Sequence, residues 1–117
     1  MAKTVLIVDD HPSFRESARM LLEAEGFEVV GEAGDGQSGL DAARELRPDV
    51  VLLDIQLPDL DGFRVADGLS VNGSPPDIVL VSSRAREDLE ECVDDSPARG
   101  FIPKSELSGA ALEALIG

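Results

Sequence analysis

The chain has 117 residues, the size of one ordinary domain, and its 10 Lys and Arg against 24 Asp and Glu leave a net charge of −14. Carboxylates repel phosphate backbones and anionic headgroups, so neither nucleic acid nor a membrane surface is expected as a direct partner. Hydrophobic residues make up 43% of the chain, with four Phe and no Trp or Tyr, which predicts a packed aliphatic core. The single cysteine, Cys92, excludes an intrachain disulfide and a cysteine-based zinc cluster. No apolar run is long enough for a signal-peptide core or a membrane span, so a cytoplasmic domain is expected.

Thr4-Val5-Leu6-Ile7-Val8 is apolar without alternation, the pattern of a strand buried on both faces. Phe14, Ala18, Leu21 and Leu22 follow at helical spacing, with Pro12 near the start and Gly26 as the stop. A shorter strand spans Phe27 to Val30, and Leu40, Ala43 and Leu46 mark a second helix ended by Pro48. Val50-Val51-Leu52-Leu53 repeats the buried-strand pattern, and Val65, Ala66 and Leu69 mark a third helix closed by Asn72-Gly73-Ser74-Pro75-Pro76. Ile78-Val79-Leu80-Val81 is a fourth strand, Leu89, Cys92 and Val93 mark a fourth helix, Phe101-Ile102 a fifth strand, and Ala111, Leu112, Leu115 and Ile116 a fifth helix. Alternation of five strands and five helices predicts an α/β fold with a doubly wound parallel sheet covered by helices on both faces. The βα units use up residues 1–117, leaving no room for an output domain within them.

In such a sheet, functional groups collect at the carboxyl ends of the strands. Here the first strand ends in Asp9-Asp10, the third in Asp54 and the fourth in Ser82-Ser83, while the fifth runs into Lys104. Clustered carboxylates repel, and a hard divalent cation relieves this; all-oxygen ligands suit Mg²⁺ better than zinc. A carboxylate facing a metal and a lysine is equipped to accept a phosphoryl group, which needs positioning and charge neutralisation more than acid–base chemistry. Each feature has an ordinary explanation alone: Asp9-Asp10 as a helix cap, Asp54 with Leu57-Pro58-Asp59 as a turn opener, Lys104 as a surface residue. Their coincidence at the ends of four buried strands favours a common site.

The ordered set Val8-Asp9-Asp10, Leu53-Asp54-Ile55-Gln56-Leu57-Pro58-Asp59-Leu60-Asp61-Gly62, Val81-Ser82-Ser83 and Gly100-Phe101-Ile102-Pro103-Lys104 resembles the receiver domain of two-component response regulators, over Val5 to Ile116. Asp9-Asp10-His11-Pro12-Ser13-Phe14-Arg15 further resembles receivers of LuxR/NarL-type regulators, which carry a helix-turn-helix output. The resemblance implies a flavodoxin-like three-layer sandwich in which Asp54 accepts phosphate from a histidine kinase or a His-containing phosphotransfer protein. It implies Mg²⁺ held by Asp9, Asp10, Asp54 and the Gln56 backbone carbonyl, with Lys104 on the phosphoryl oxygens. Ser82 and Phe101 would form the switch, altering the surface of the fourth helix, fifth strand and fifth helix to control an output domain or partner protein. A phosphorylation-dependent homodimer is compatible with that scheme. Such a domain assists its own phosphorylation and dephosphorylation but is not an enzyme with a substrate of its own.

The family commonly has Pro after the lysine, whereas here Pro103 precedes Lys104 and Ser105 follows it, leaving the geometry of the Lys104–Ser105 bond open. Gln56 and Arg84 lie at positions expected to tune phosphoryl lifetime. His11 is expected in a structural role at the helix cap, Cys92 in the core, and Gly62 in a tight turn into the third helix. Glu87, Asp88, Glu90, Glu91, Asp94 and Asp95 read as a solvated helix face or, alternatively, a partner-recognition face. The competing readings are a Mg²⁺-dependent phosphohydrolase with Asp54 as covalent nucleophile, which would ordinarily need an acid where Gln56 stands, and a degenerate receiver used only for interaction.

Overall fold

The computed structural model describes residues 2–71, 75–83 and 96–116. Five strands, β1 (Thr4–Val8), β2 (Glu28–Ala33), β3 (Val50–Asp54), β4 (Asp77–Ser82) and β5 (Gly100–Pro103), form one parallel sheet in the order β2-β1-β3-β4-β5. Four helices are described: α1 (Pro12–Ala24), α2 (Gly36–Leu46), α3 (Gly62–Ser70) and α4 (Gly109–Ile116), the last being the fifth of the predicted helices. The helix marked by Leu89, Cys92 and Val93, the acidic run beside it, Arg84 and Asn72-Gly73-Ser74 lie outside the described residues. No helix among the described residues is long and apolar enough to cross a membrane.

The unbroken apolar runs make sense in this sheet because alternate residues of the central strands enter two separate cores. Val5, Ile7, Val50, Leu52, Val79 and Val81 pack with Ala18 and Leu22 of α1 and Leu112 of α4. Leu6, Val8, Val51, Leu53, Ile78 and Leu80 pack with Ala43 of α2 and Val65, Ala66 and Leu69 of α3. A strand sandwiched in this way has no polar face, so periodicity 2 disappears from its sequence. β2 is an edge strand with a solvent-facing side, which explains why it runs from Glu28 to Ala33, past the predicted Val30, with Val29 and Ala33 buried and the residues between these two exposed or half-buried.

Helix ends follow the expected chemistry. Gly26 adopts φ +96°, and the Gly26 and Phe27 N–H groups donate to Glu23 and Leu22 carbonyls at 3.3 and 3.0 Å, a Schellman closure of α1. Asp35 caps α2 through Ser38 N–H at 2.7 Å, and Asp61 caps α3 through Arg64 N–H at 2.8 Å. α2 closes one residue before Pro48, on Arg47 in the left-handed region at φ 47°. All described peptide bonds, including Lys104–Ser105, are trans.

Candidate functional site

The reversal of strand order lies between β1 and β3, where α/β sheets open a crevice beyond the strand ends. Val8 pairs with Leu53, so the next residues, Asp9 and Asp54, emerge side by side. Both side chains are buried, at 0% and 3% exposure. The Asp9 backbone is tied by its N–H to Ala33 O at 2.9 Å and by its carbonyl to the Arg15 guanidinium at 2.6 Å. Arg15 in turn pairs with Glu32 at 3.2 Å, joining the end of β1 to α1 and β2.

On the other flank, Lys104 leaves β5 at the start of a 3₁₀ turn, Lys104–Glu106. Its ammonium reaches back over the rim to Asp9 Oδ2 at 2.7 Å and Asp54 Oδ2 at 3.4 Å, and sits 4.6 Å from the centroid of the Phe14 ring. Ser82 ends β4, buried, in register with Pro103 and one position past the Asp54–Val81 pair, which puts it on the rim between β3 and β5.

The β3–α3 loop is drawn tight under Asp54. Gln56 N–H donates to Asp54 Oδ1 at 3.3 Å, Gln56 bridges to Asp61, and Gly62 N–H donates to Ile55 O at 2.7 Å. A Cβ at Gly62 would stand 2.5 Å from the Asp54 carbonyl oxygen and 2.7 Å from Ile55 Cα. Glycine is therefore required by close backbone approach, not by the tight turn expected from its sequence position. Asp59 accepts from the Gly36 and Gln37 N–H groups at 2.7 and 3.0 Å, tying this loop to the start of α2. Those two donors hold its carboxyl below the ordinary carboxylate value.

Electrostatically the rim is strained. Burial, and next the charge of Asp9, raise the Asp54 pKa, while Lys104 and the Gln56 N–H oppose the rise without cancelling it. Asp9 Oδ2 is fully buried and has no hydrogen-bond donor; Lys104 approaches it closely but is not aligned as one. One ligand atom from each of Asp9, Asp10, His11 and Asp54 lies within 4.8 Å of all the others. Excess buried negative charge and an undersupplied carboxylate oxygen fit a divalent cation.

The structure thus gathers Asp9, Asp10, Asp54 and Lys104 at one point, with Ser82 on the same rim. Asp10 is the most open of the three acids, its side chain 35% exposed. Phe101 is 7% exposed and packs in the core shared with α2 and α3, where a ring without hydroxyl leaves no polar group to satisfy. His11 lies at the cap of α1 and beside the acids, as expected. Its backbone is the N-cap of α1, but its ring makes no cap bond; Nδ1 points into the acids, 3.0 Å from both Asp9 Oδ1 and Asp10 Oδ1. The Asp9 carboxylate draws the loop in by accepting the His11 N–H at 2.8 Å, and that turn aims the ring. In the sequence, Phe14 reads as a helix position and Arg15 as part of the Asp9–Arg15 run, and neither is assigned a place at the site.

The sequence profile of the response regulator receiver domain matches residues 5–116. This chain belongs to that family. The receiver is 42% identical over 106 residues to the virulence-factor transcription regulator BvgA of Bordetella pertussis, covering 91% of this chain and 51% of BvgA. It is 39% identical over 113 residues to the nitrate/nitrite response regulator NarP of Escherichia coli, covering 95% of this chain and 52% of NarP. Among solved structures, the signal receiver domain of the response regulator NarL from Mycobacterium tuberculosis superposes with a TM-score of 0.84 at 32% identity, covering 99% of this chain and 98% of that one. The receiver spans about half the length of these curated relatives.

Proposed function

We propose that this receiver takes a phosphoryl group on Asp54 from a phosphohistidine donor and converts that charge into control of an output. The single observation that carries the reading is Asp54 itself: a buried carboxylate at a strand end, held 3.4 Å from Lys104 and beside Asp9. In the step, an Asp54 oxygen attacks phosphorus, the P–N bond to the donor imidazole breaks with its electron pair going to that nitrogen, and an acyl phosphate forms. Lys104, which pairs with Asp54 Oδ2 before transfer, would meet the charged phosphoryl oxygens as the bond forms, and the Gln56 N–H holds Asp54 Oδ1 in place. Ser82 is placed to donate its hydroxyl to the new phosphoryl group.

Asp9, Asp10, Asp54 and the Gln56 carbonyl would hold Mg²⁺, which when bound supplies positive charge for the phosphoryl oxygens. Ser82 and Phe101, on the neighbouring strands β4 and β5, form the switch: new bonds at Ser82 bias Phe101 and the surface beside β5 and α4. The output is a DNA-binding domain or partner protein, in line with relatives named as transcription regulators, and the setting is the cytoplasm. No independent substrate is turned over; Gln56 stands where a phosphohydrolase would need its acid.

Incubation of the full chain with Mg²⁺ and acetyl phosphate tests this by intact mass. The expected product carries one phosphoryl group, absent in Asp54→Asn and strongly reduced in Lys104→Met. No adduct, together with no spectral response to beryllofluoride, would overturn the proposal.

A further inference from the structure

Arg15 stands behind the acids and Lys104, and it holds the backbone on which two of those acids hang. We propose that Arg15 is a positioning residue for phosphoryl transfer: by bonding the Asp9 carbonyl it fixes the Asp9–Asp10 peptide, with Glu32 as its anchor. The inference rests on the reading of Asp54 as phosphoacceptor and adds to it a residue that acts through the backbone of Asp9.

The peptide comes first. Asp9 is fully buried, so its carbonyl oxygen has no bulk water to turn to. Arg15 Nη1 donates to it at 2.6 Å, while the Asp9 N–H donates to Ala33 O at 2.9 Å. Both peptide planes flanking the Asp9 Cα are therefore held, one by β2 and one by α1. Without the guanidinium, a buried carbonyl loses its donor and is driven to rotate toward another. The same peptide carries Asp10 and, one residue on, the His11 N–H that donates to Asp9 Oδ1 at 2.8 Å. Rotation would move both.

The anchor comes second. Arg15 Nε donates to Glu32 Oε1 at 3.2 Å, and Glu32 Oε2 accepts from Arg19 Nε at 2.7 Å. Glu32 pairs with Ile7 across the sheet and directly precedes Ala33, whose carbonyl receives the Asp9 N–H. Two adjacent β2 residues thus converge on Asp9, one directly and one through Arg15.

The ordinary role for such an arginine is to fasten α1 to β2 by an ion pair. That role needs only Glu32, and Arg19 already fills it from the same helix at shorter range. What Arg15 adds is the bond to the Asp9 carbonyl. A planar guanidinium serves a carboxylate and a carbonyl at once in fixed directions, as the rotatable ammonium of a lysine does not.

Arg19 provides the control, because it shares helix, charge and partner with Arg15 but stands one turn further from Asp9. In the full chain, phosphorylation by acetyl phosphate is followed by intact mass across a range of Mg²⁺ concentrations. Mg²⁺ binding is read separately from the Asp10 and Gln56 amide shifts by NMR. Arg15→Met should need about 10- to 100-fold more Mg²⁺ in both measurements, and Arg15→Lys should recover part of the loss. Glu32→Gln should shift the requirement about two- to fivefold, and Arg19→Met less than about twofold. Adding Glu32→Gln to Arg15→Met should change little more, since the anchor acts through Arg15. Equal Mg²⁺ requirements in wild type and Arg15→Met, or equal losses in Arg15→Met and Arg19→Met, overturn the inference. If Arg15→Met does not fold, Glu32→Gln against Arg19→Met decides, and equal shifts in those two overturn it. A wild-type chain that gains no phosphoryl group at any Mg²⁺ concentration overturns the phosphoacceptor reading, and the inference with it.

Discussion

Replacing Lys104 by Met removes the cation facing two buried acids and keeps an unbranched stem of similar length beside Phe14. With Nζ 2.7 Å from Asp9 and 3.4 Å from Asp54, each attraction amounts to about 5–6 kcal/mol at an effective dielectric of about 20. Burying the three groups offsets most of this, but stripping one member from a buried set leaves unpaired charge and typically loses about 3–5 kcal/mol. A loss of about 3 kcal/mol is expected in chelator at pH 7. The chain has no Trp or Tyr, so urea unfolding is followed by circular dichroism. At a slope of about 1–2 kcal/mol/M the midpoint should fall by about 1.5–3 M. In an Asp54→Asn background the same change should be milder by about 1–2 kcal/mol, because one of its two acids is gone. A single variant within about 0.5 kcal/mol of wild type, or strict additivity in the double variant, would refute the electrostatic account of the rim.

Three further perturbations probe other links. Asp54→Asn should stabilise the chelated protein at neutral pH: the raised pKa means that the folded state holds the proton more tightly than the unfolded one, so its stability is full below the ordinary 3.8 and lost as pH rises through the folded value. The advantage of Asn in urea unfolding should therefore shrink toward zero as pH falls below 3.8, and a pH-independent difference would contradict the sign. Gly62→Ala drives a methyl into the Asp54 carbonyl and should lose about 1–3 kcal/mol together with phosphorylation rate; a variant of normal stability and rate would show that the loop yields easily. Phe14→Leu removes the ring under the ammonium, and a double-mutant cycle with Lys104→Met should return a coupling of about 0.5–1 kcal/mol, whereas no coupling would mean that the ring merely fills space.

What could be read before the structure, and what could not, divides by the range of the interaction. The buried strands announced themselves because Val5 to Val8 and Val50 to Leu53 lie between two cores and admit no polar residue, and their ends because Asp9 and Asp54 break the runs abruptly. β2 was legible only in part, since an edge strand tolerates Glu28 and Glu32 at its open positions. The tie that Asp59 makes had no signal in the sequence, because it crosses to Gly36 and Gln37, 23 and 22 residues away, and a local turn motif explains the same letters. Gly62 was assigned the right residue requirement for the wrong reason, as the contact that forbids a side chain lies across the loop in β3. His11 illustrates the same limit: that it follows two acids is plain in the sequence, but the direction of its ring is set by a backbone bond to Asp9.

These ties also assign different duties to the two flanks of Asp54. On the α2/α3 side, the Gln56–Asp61 bridge and the Gly62 contact hold the β3–α3 loop by backbone groups, and the Asp59 carboxylate ties it to the Gly36 and Gln37 N–H groups, so none of these ties runs through the Asp54 side chain. On the other side, Asp54 is met by the long side chain of Lys104, joined through a single ion pair and able to follow a moving charge. A phosphoryl group on Asp54 would thus find a fixed acceptor on one flank and an adjustable cation on the other. The response it provokes should pass through Ser82, Lys104 and Phe101 into β4, β5 and α4, while α2 and α3 keep the acceptor in register. Amide hydrogen exchange on the beryllofluoride adduct distinguishes the two flanks: altered protection concentrated in residues 78–83 and 99–112 fits this division, and equal change across residues 55–70 contradicts it.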